Sequence, residues 1–346
     1  MNRCNIPEIW PEKGLDTADW QSRREEIVRL LCGEEYGFLP PTPAALTWDV
    51  IETDEDFCAG KAPLRKILLR AELENGNSFA FPVSVTIPNA GRPVPFFVHI
   101  SFSADVPDRY MPSEEIIDSG FGVLSFCYED VCADNGDFLS GLAGALELDG
   151  NAACGKIALW AWAAVRVMDY AATLPELDKS RAAVVGHSRL GKTALLAGAV
   201  DTRFSFVISN ESGCCGAAVG RGKKGETIRN ITDAFPYWFR DGFRQYAEKE
   251  PPFDQHFLLA AAAPRYVYVA SAAGDEWAGP EHEFLSCVLA GKVWEALGLE
   301  GFVCKGERPV TGEPCHNGHI GYHIRDGAHY LSREDWRQFM RFISRK

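Results

Sequence analysis

The chain has 346 residues, 46% hydrophobic and 24% charged, the composition of an ordinary soluble globular protein. Lys and Arg number 35 against 48 Asp and Glu, a net charge of −13, which opposes binding to nucleic-acid phosphates and to anionic membranes. An anionic substrate would therefore need a locally basic site. No run of about 18 or more apolar residues exists to span a bilayer.

The first twenty residues are broken by charges and prolines and do not read as a signal peptide. The 11 cysteines are odd in number and show no paired CxxC spacing. They are expected to be mostly reduced, buried thiols of a cytoplasmic protein. Residues 19–32 form an amphipathic helix, with Ile27, Leu30 and Leu31 set against Arg23, Glu25 and Glu26. Extended runs follow at Leu46–Ile51, Arg65–Leu73 and Ser78–Ile87, and Asn75-Gly76-Asn77 marks a hairpin between the last two. Buried strands are expected at Val94–Ile100 and Gly122–Cys127, then a helix at Lys156–Thr173 stopped by Pro175. Next come strand Ala182–Val185, helix Leu190–Ala199, strand Phe204–Ser209 and an irregular stretch over 210–252. Helix Asp254–Ala263, strand Tyr266–Ser271, helix Glu283–Leu297 and strand His319–Arg325 lead to a last helix over Ser332–Ser344. Ser332 is its N-cap, with Glu334 and Asp335 in the first turn.

Short apolar runs alternating with helices predict right-handed βαβ crossovers. The fold class is α/β: a mostly parallel central sheet flanked by helices in three layers, with antiparallel strands at the N-terminal edge. No repeat or linker divides the chain. Residues 1–346 read as one domain, with the N-terminal helix and edge strands over 1–90 and the core over 91–346.

The strongest chemical signal is Gly186-His187-Ser188-Arg189-Leu190-Gly191-Lys192, directly after the strand Ala182–Val185 and at the start of a helix. Strand, tight turn, serine and helix in that order make a nucleophile elbow, which lifts the hydroxyl above the sheet. The N–H of the following residue then faces a developing oxyanion. Leu190 stands where the usual G-x-S-x-G pattern has its second glycine, so the generic motif fails. The competing reading is a serine that only caps the helix.

A nucleophilic serine needs a base and the base an orienting acid, in the chain order Ser, acid, His for an α/β-hydrolase. His329 follows the last strand, where this fold carries its base. His323 lies within that strand and His256 in an apolar helix, so both read as core. His316, His319 and His282 read as surface or supporting residues, and His187 as pointing away from the elbow. Asp275 and Glu211 each follow a strand, and both positions fall at the carboxyl edge of the sheet where open α/β folds build sites. The pattern does not rank them.

These residues together resemble the glucuronoyl esterases of carbohydrate esterase family 15 and bacterial relatives labelled acetyl xylan esterases. The family elbow reads G-C-S-R-x-G-K. The likeness runs on through Asn210-Glu211-Ser212-Gly213, Phe235-Pro236-Tyr237-Trp238-Phe239, Pro252-Phe253-Asp254-Gln255-His256, Ala263-Pro264-Arg265, Asp275-Glu276-Trp277 and Gly321-Tyr322-His323-Ile324-Arg325 to His329. It implies an α/β-hydrolase fold with Ser188 as nucleophile and His329 as base. Glu211 matches the acid of fungal members and Asp275 that of bacterial ones. It implies Arg189 in the oxyanion hole, Lys192 on the sugar hydroxyls and Trp277 lining the sugar site. His187 and Tyr330 stand where secreted fungal members have a disulfide, consistent with a reducing compartment.

The implied activity is serine carbohydrate-ester hydrolysis, of a 4-O-methyl-glucuronoyl ester or similar in a small oligosaccharide. The alternatives are an O-acetyl sugar esterase, another acyl-ester hydrolase or peptidase of the same fold, and a non-catalytic carbohydrate-binding relative. No cofactor or metal is expected. Cys315-His316-Asn317-Gly318-His319 lies in a Gly-rich loop rather than at helical ligand spacing. Arg189, Lys192 and the run Arg221–Lys224 are expected to make the pocket locally basic.

Overall fold

The central strands are buried on both faces, and this decides the architecture. The computed structural model describes residues 5–10 and 17–346, so Cys4 lies outside the described residues. The strands are β1 (Ala45–Asp54), β2 (Leu64–Glu72), β3 (Ser78–Thr86), β4 (Val94–Ser101), β5 (Gly122–Cys127), β6 (Leu177–His187), β7 (Phe206–Asn210), β8 (Tyr266–Ala272) and β9 (Ile320–Arg325). They form one sheet in the order β1-β2-β3-β5-β4-β6-β7-β8-β9. The first three and the β3–β5 junction are antiparallel, and every pairing from β5 to β9 is parallel.

The helices are α1 (Thr17–Leu31), α2 (Ser113–Asp118), α3 (Tyr128–Val131), α4 (Gly141–Ala145), α5 (Lys156–Thr173), α6 (Arg189–Val200), α7 (Ile228–Ala234), α8 (His256–Ala260), α9 (Pro280–Ala296) and α10 (Arg333–Ser344). Alternate strand residues feed two separate cores. Phe96, Val98, Ala182, Val184, Val207 and Val267 share one with α5, α6 and α9. Phe97, Val185, Phe206, Ile208 and Tyr268 share the other with Ile116 of α2 and with Trp336, Phe339 and Phe342 of α10. Helices on both faces of an alternating sheet give the expected three layers. Burying one such aromatic or aliphatic side chain stabilises the fold by about 1.5–3 kcal/mol.

Most elements fall within a few residues of their expected bounds. The differences are local. β6 begins at Leu177 rather than Ala182, and α8 covers only His256–Ala260 of the helix expected over Asp254–Ala263, the rest being turns. The stretch expected to be irregular, 210–252, contains α7, capped by Thr227 and Asn230, and two 3-10 turns. The cysteine reading needs one correction. Eight described cysteines are free thiols, seven of them buried, but Cys304 and Cys315 form a disulfide. An odd total does not forbid one pair, and the loop before β9 brings these two together. No helix among the described residues is long and apolar enough to cross a membrane.

α6 sits tightly on β7 because of a glycine. A Cβ on Gly198 would lie 2.3 Å from Cγ2 of Val207. The substitution Gly198→Val should therefore cost about 1–3 kcal/mol of stability through overpacking. Thermal melts of the two proteins check this, and an unchanged midpoint would show that the helix can slide.

Candidate active site

The elbow forms because nothing else fits between β6 and α6. A Cβ on Gly186 would lie 2.0 Å from the carbonyl oxygen of Leu190. The chain thus reverses within one residue, and Ser188 takes φ 57° and ψ −126°. A non-glycine residue at positive φ is strained and marks a functional corner. Ser188 N donates to Asn210 O at 2.9 Å, and Gly191 N and Lys192 N donate back to Ser188 O at 2.9 and 3.2 Å. The N–H groups of Arg189 and Leu190, ahead of that first bond, have no intrahelical acceptor.

β7 and β8 end at the same edge and carry the two acids. His329 Nδ1 lies 2.6 Å from Asp275 Oδ2 and 3.3 Å from Glu211 Oε2. Glu211 has three further ties. Oε1 accepts from Arg325 Nη2 at 2.5 Å, Oε2 accepts from Tyr330 N at 3.0 Å, and its own N donates to Ala270 O at 2.7 Å. Asp275 accepts from Ala278 N at 3.2 Å. The shorter contact and the lighter load make Asp275 the main partner of His329. Since Nδ1 faces carboxylates, it carries the proton and leaves Nε2 as the basic nitrogen.

Burial lowers the His329 pKa, but the hydrogen bonds and charges of Asp275 and Glu211 outweigh it and bring it up to about 9. Burial pushes Glu211 up to about 7, against the pull of His329 and Arg325. Burial raises Asp275, but the hydrogen bond and charge of His329 together with the Ala278 N–H outweigh it and hold the carboxyl below its ordinary value.

His187 does not point away from the site. Its ring centroid lies 4.5 Å from that of His329 and 5.9 Å from Tyr110, and Nδ1 meets Asn210 Oδ1 at 2.6 Å. Burial and the charge of His329 lower it to about 3, so it packs as a neutral ring. Tyr110 also touches Tyr330, centroids 4.9 Å apart. Aromatic contact, not a disulfide, thus links the residues flanking Ser188 and His329.

Arg189 projects over Trp238, with the guanidinium carbon 4.7 Å from the ring centroid, and pairs with Asp134. Asp134 is fixed by Trp238 Nε1 at 2.7 Å and Tyr128 OH at 3.2 Å. Arg189 is 26% exposed, and its Nε has no hydrogen-bond partner. Lys192 departs from the sugar-contact expectation. It is 4% exposed, and Nζ donates to Ser212 O and to Cys214 O, the latter at 2.7 Å, so it braces the loop after Glu211. Arg221 is likewise paired, with Glu250 and Asp254. Of the residues expected to make the pocket basic, Arg189 and Arg221 thus have carboxylate partners, whereas Lys192 meets backbone carbonyls. Trp277 is 56% exposed beside the acid loop, and its carbonyl accepts from Glu226 N at 3.1 Å and Lys223 Nζ at 2.7 Å.

The other histidines take supporting roles. His323 is buried between Tyr268 OH and Asp335, and His256 bonds Pro7 O. His316 is buried against Tyr268 OH rather than at the surface, while His319 bonds Glu300 O. The two therefore serve different partners. Glu211, Asp275 and His329 each offer a ligand atom within 4.8 Å of the others. A cation there would compete with the bonds just described. Asp134, Asn210 and Arg325 were not legible as site residues, because loops and strand ends carry no periodic signal.

The arrangement defines the α/β-hydrolase class: a serine on an elbow, a histidine after the last strand and an acid at a strand end. Residues 72–298 match the family model described as glucuronyl esterase of fungi, and the chain belongs to the glucuronoyl esterase family. It is 46% identical over 190 residues to the carbohydrate esterase MZ0003 of an unknown prokaryotic organism, covering 54% of this chain and 44% of that protein. It is 29% identical over 320 residues to a 4-O-methyl-glucuronoyl methylesterase of Podospora anserina, covering 87% of this chain and 62% of that one. The chain thus spans less than two thirds of the length of these two relatives. A glucuronoyl esterase structure from Solibacter usitatus superposes with a TM-score of 0.87 at 31% identity, covering 98% of this chain and 97% of that one.

A base must be neutral to accept a proton, so kcat/KM should rise with pH toward the His329 value near 9. Asp275→Asn removes a raising contact, so the acid limb should move to lower pH while kcat falls by roughly 10²–10⁴-fold. Glu211→Gln should cost less. The pH–rate profiles of both variants on a soluble ester check this, and an unmoved limb in Asp275→Asn would assign the pairing to Glu211.

Proposed function

We propose that the chain is a serine carbohydrate esterase that hydrolyses a uronoyl ester of a sugar, a 4-O-methyl-glucuronoyl ester or one like it. The observation that carries this reading is the His329 imidazole, set between two carboxylates and in tilted contact with His187 next to the Ser188 corner. Family membership and the named relatives support the ester and the sugar. Trp277 supports a sugar site because an exposed indole offers a flat apolar face beside the acid loop.

In the mechanism, His329 Nε2 takes the Ser188 hydroxyl proton as Oγ attacks the ester carbonyl. The Arg189 N–H and its guanidinium stabilise the oxyanion. His329 then gives that proton to the leaving alcohol, and the acyl group stays on Ser188. A water, deprotonated by His329, attacks the acyl-enzyme, and His329 passes that proton to Ser188 Oγ as the uronic acid is released. Asp275 holds the imidazole in the Nδ1–H tautomer and stabilises the imidazolium. Asp134 holds Arg189 over Trp238, which limits its rotamers before substrate arrives.

The ester substrate is neutral at the reacting carboxyl, so the ion pairs of Arg189 and Arg221 do not oppose it. An O-acetyl sugar ester meets the same condition and is the second reading. Rates on a glucuronate benzyl ester, a glucuronate methyl ester and a sugar acetate separate the two. Ser188→Ala should lower kcat on the preferred ester by at least about 10³-fold. Full activity in that variant would remove the assignment, and a preference for the acetate would replace the uronoyl ester.

A further inference from the structure

We infer that Arg325 is the positioning residue of the general base, acting through the backbone of the loop that carries His329. The inference rests on the role of His329 proposed above. Residues 326–330 are exposed; the His329 and Tyr330 rings meet His187 and Tyr110, and Tyr330 OH donates to Arg109 O at 2.7 Å. The backbone between β9 and those rings is ordered through its carbonyls. Arg325 Nη1 donates to Asp326 O at 3.1 Å and Ala328 O at 3.2 Å. Nη2 donates to Ala328 O at 3.3 Å, to Tyr330 O and to Glu211 Oε1 at 2.5 Å. The loop therefore wraps around one guanidinium. The Gly327 carbonyl, which Arg325 does not reach, accepts from Gly274 N at 2.8 Å, next to Asp275.

Arg325 is itself anchored from below. Its Nε donates to Asp335 Oδ2 at 2.9 Å. Asp335 is fully buried, accepts from Ser332 N at 2.6 Å and meets His323 Nε2 at 2.9 Å. Capping of α10, the end of β9, the Glu211 carboxylate and the base loop thus converge on a single side chain. A lysine could keep the charge, but its point-like ammonium cannot span a carboxylate on each side and three carbonyls. Arg325 has no role as proton donor here. It sets where the imidazole sits between Asp275 and Glu211.

The test uses the full chain with Arg325→Lys. A base displaced by an ångström costs up to about 10²-fold in rate, so kcat should fall roughly 10–100-fold while KM stays within about threefold. The far-downfield proton signal of the His329 Nδ1–H bond to Asp275 should shift or broaden. In Arg325→Ala, added guanidinium chloride should restore part of kcat. If melting curves show that Arg325→Lys is unfolded, the charge-neutral pair Arg325→Met/Glu211→Gln carries the same measurement relative to Glu211→Gln alone. An undiminished kcat, or a loss confined to KM, would overturn the inference. An unchanged proton signal would do the same. Ser188→Ala separates the two readings: if it is inactive while Arg325→Lys is fully active, only this inference fails.

Discussion

The backbone at Ser188 reverses from β6 into α6 at φ 57°, and the cost of that corner must be met by its neighbours. Ser188 N is held by Asn210 O, and the Asn210 side chain holds His187, so the corner is stitched to the last residue of β7. The next residue is Glu211, itself at positive φ 47°. Nucleophile and acid loop are therefore one unit, fixed by parallel pairing of β6 with β7. The remaining parts of the site are added to that unit from β8 and β9, which continue the sheet in register.

Electrostatics at this edge follow from burial. Glu211, Glu283 and Asp335 are all buried within reach of the site, and an unpaired buried carboxylate is costly. Each is met by donors: Arg325 for Glu211 and Asp335, and Ser271 Oγ with Gly213 N for Glu283. Arg189, Lys192 and Arg221 spend their charge the same way, on Asp134, on carbonyls and on Asp254. The net charge of −13 then has a simple consequence for the proposed reaction. A neutral ester enters without penalty, whereas the uronate product is an anion released into an acidic surround that does not retain it.

Elements with strong periodicity or clear punctuation were legible. α5 falls at Lys156–Thr173, as its apolar run and Pro175 require, and α10 begins at the Ser332 cap with Asp335 closing the capping box. Ser188, His329 and the two acids were legible because each sits just past a strand, where topology alone brings them to one edge. What the sequence hid is long-range and aperiodic. Asp134 reaches Arg189 across 55 positions and Arg325 reaches Glu211 across 114. The helical spacing of Lys192 from Ser188 says which face it shares, not that its ammonium meets the Ser212 and Cys214 carbonyls. The disulfide between Cys304 and Cys315 depends on a loop path that no local pattern encodes.

Two acids around one imidazole are the natural result of parallel neighbours ending at the same edge, and their surroundings divide the work. Glu211 is tied to Arg325 and to Tyr330 N, which fixes it to the loop that carries His329. Asp275 meets His329 at 2.6 Å and otherwise accepts from one backbone N–H. It is free to stay with the ring. Arg325 pairs with Glu211 and offsets part of the negative charge there, and in the proposed mechanism the charge that remains favours the imidazolium. Glu211 thus serves chiefly as the post to which the base loop is tied, and Asp275 as the group that responds to the charge.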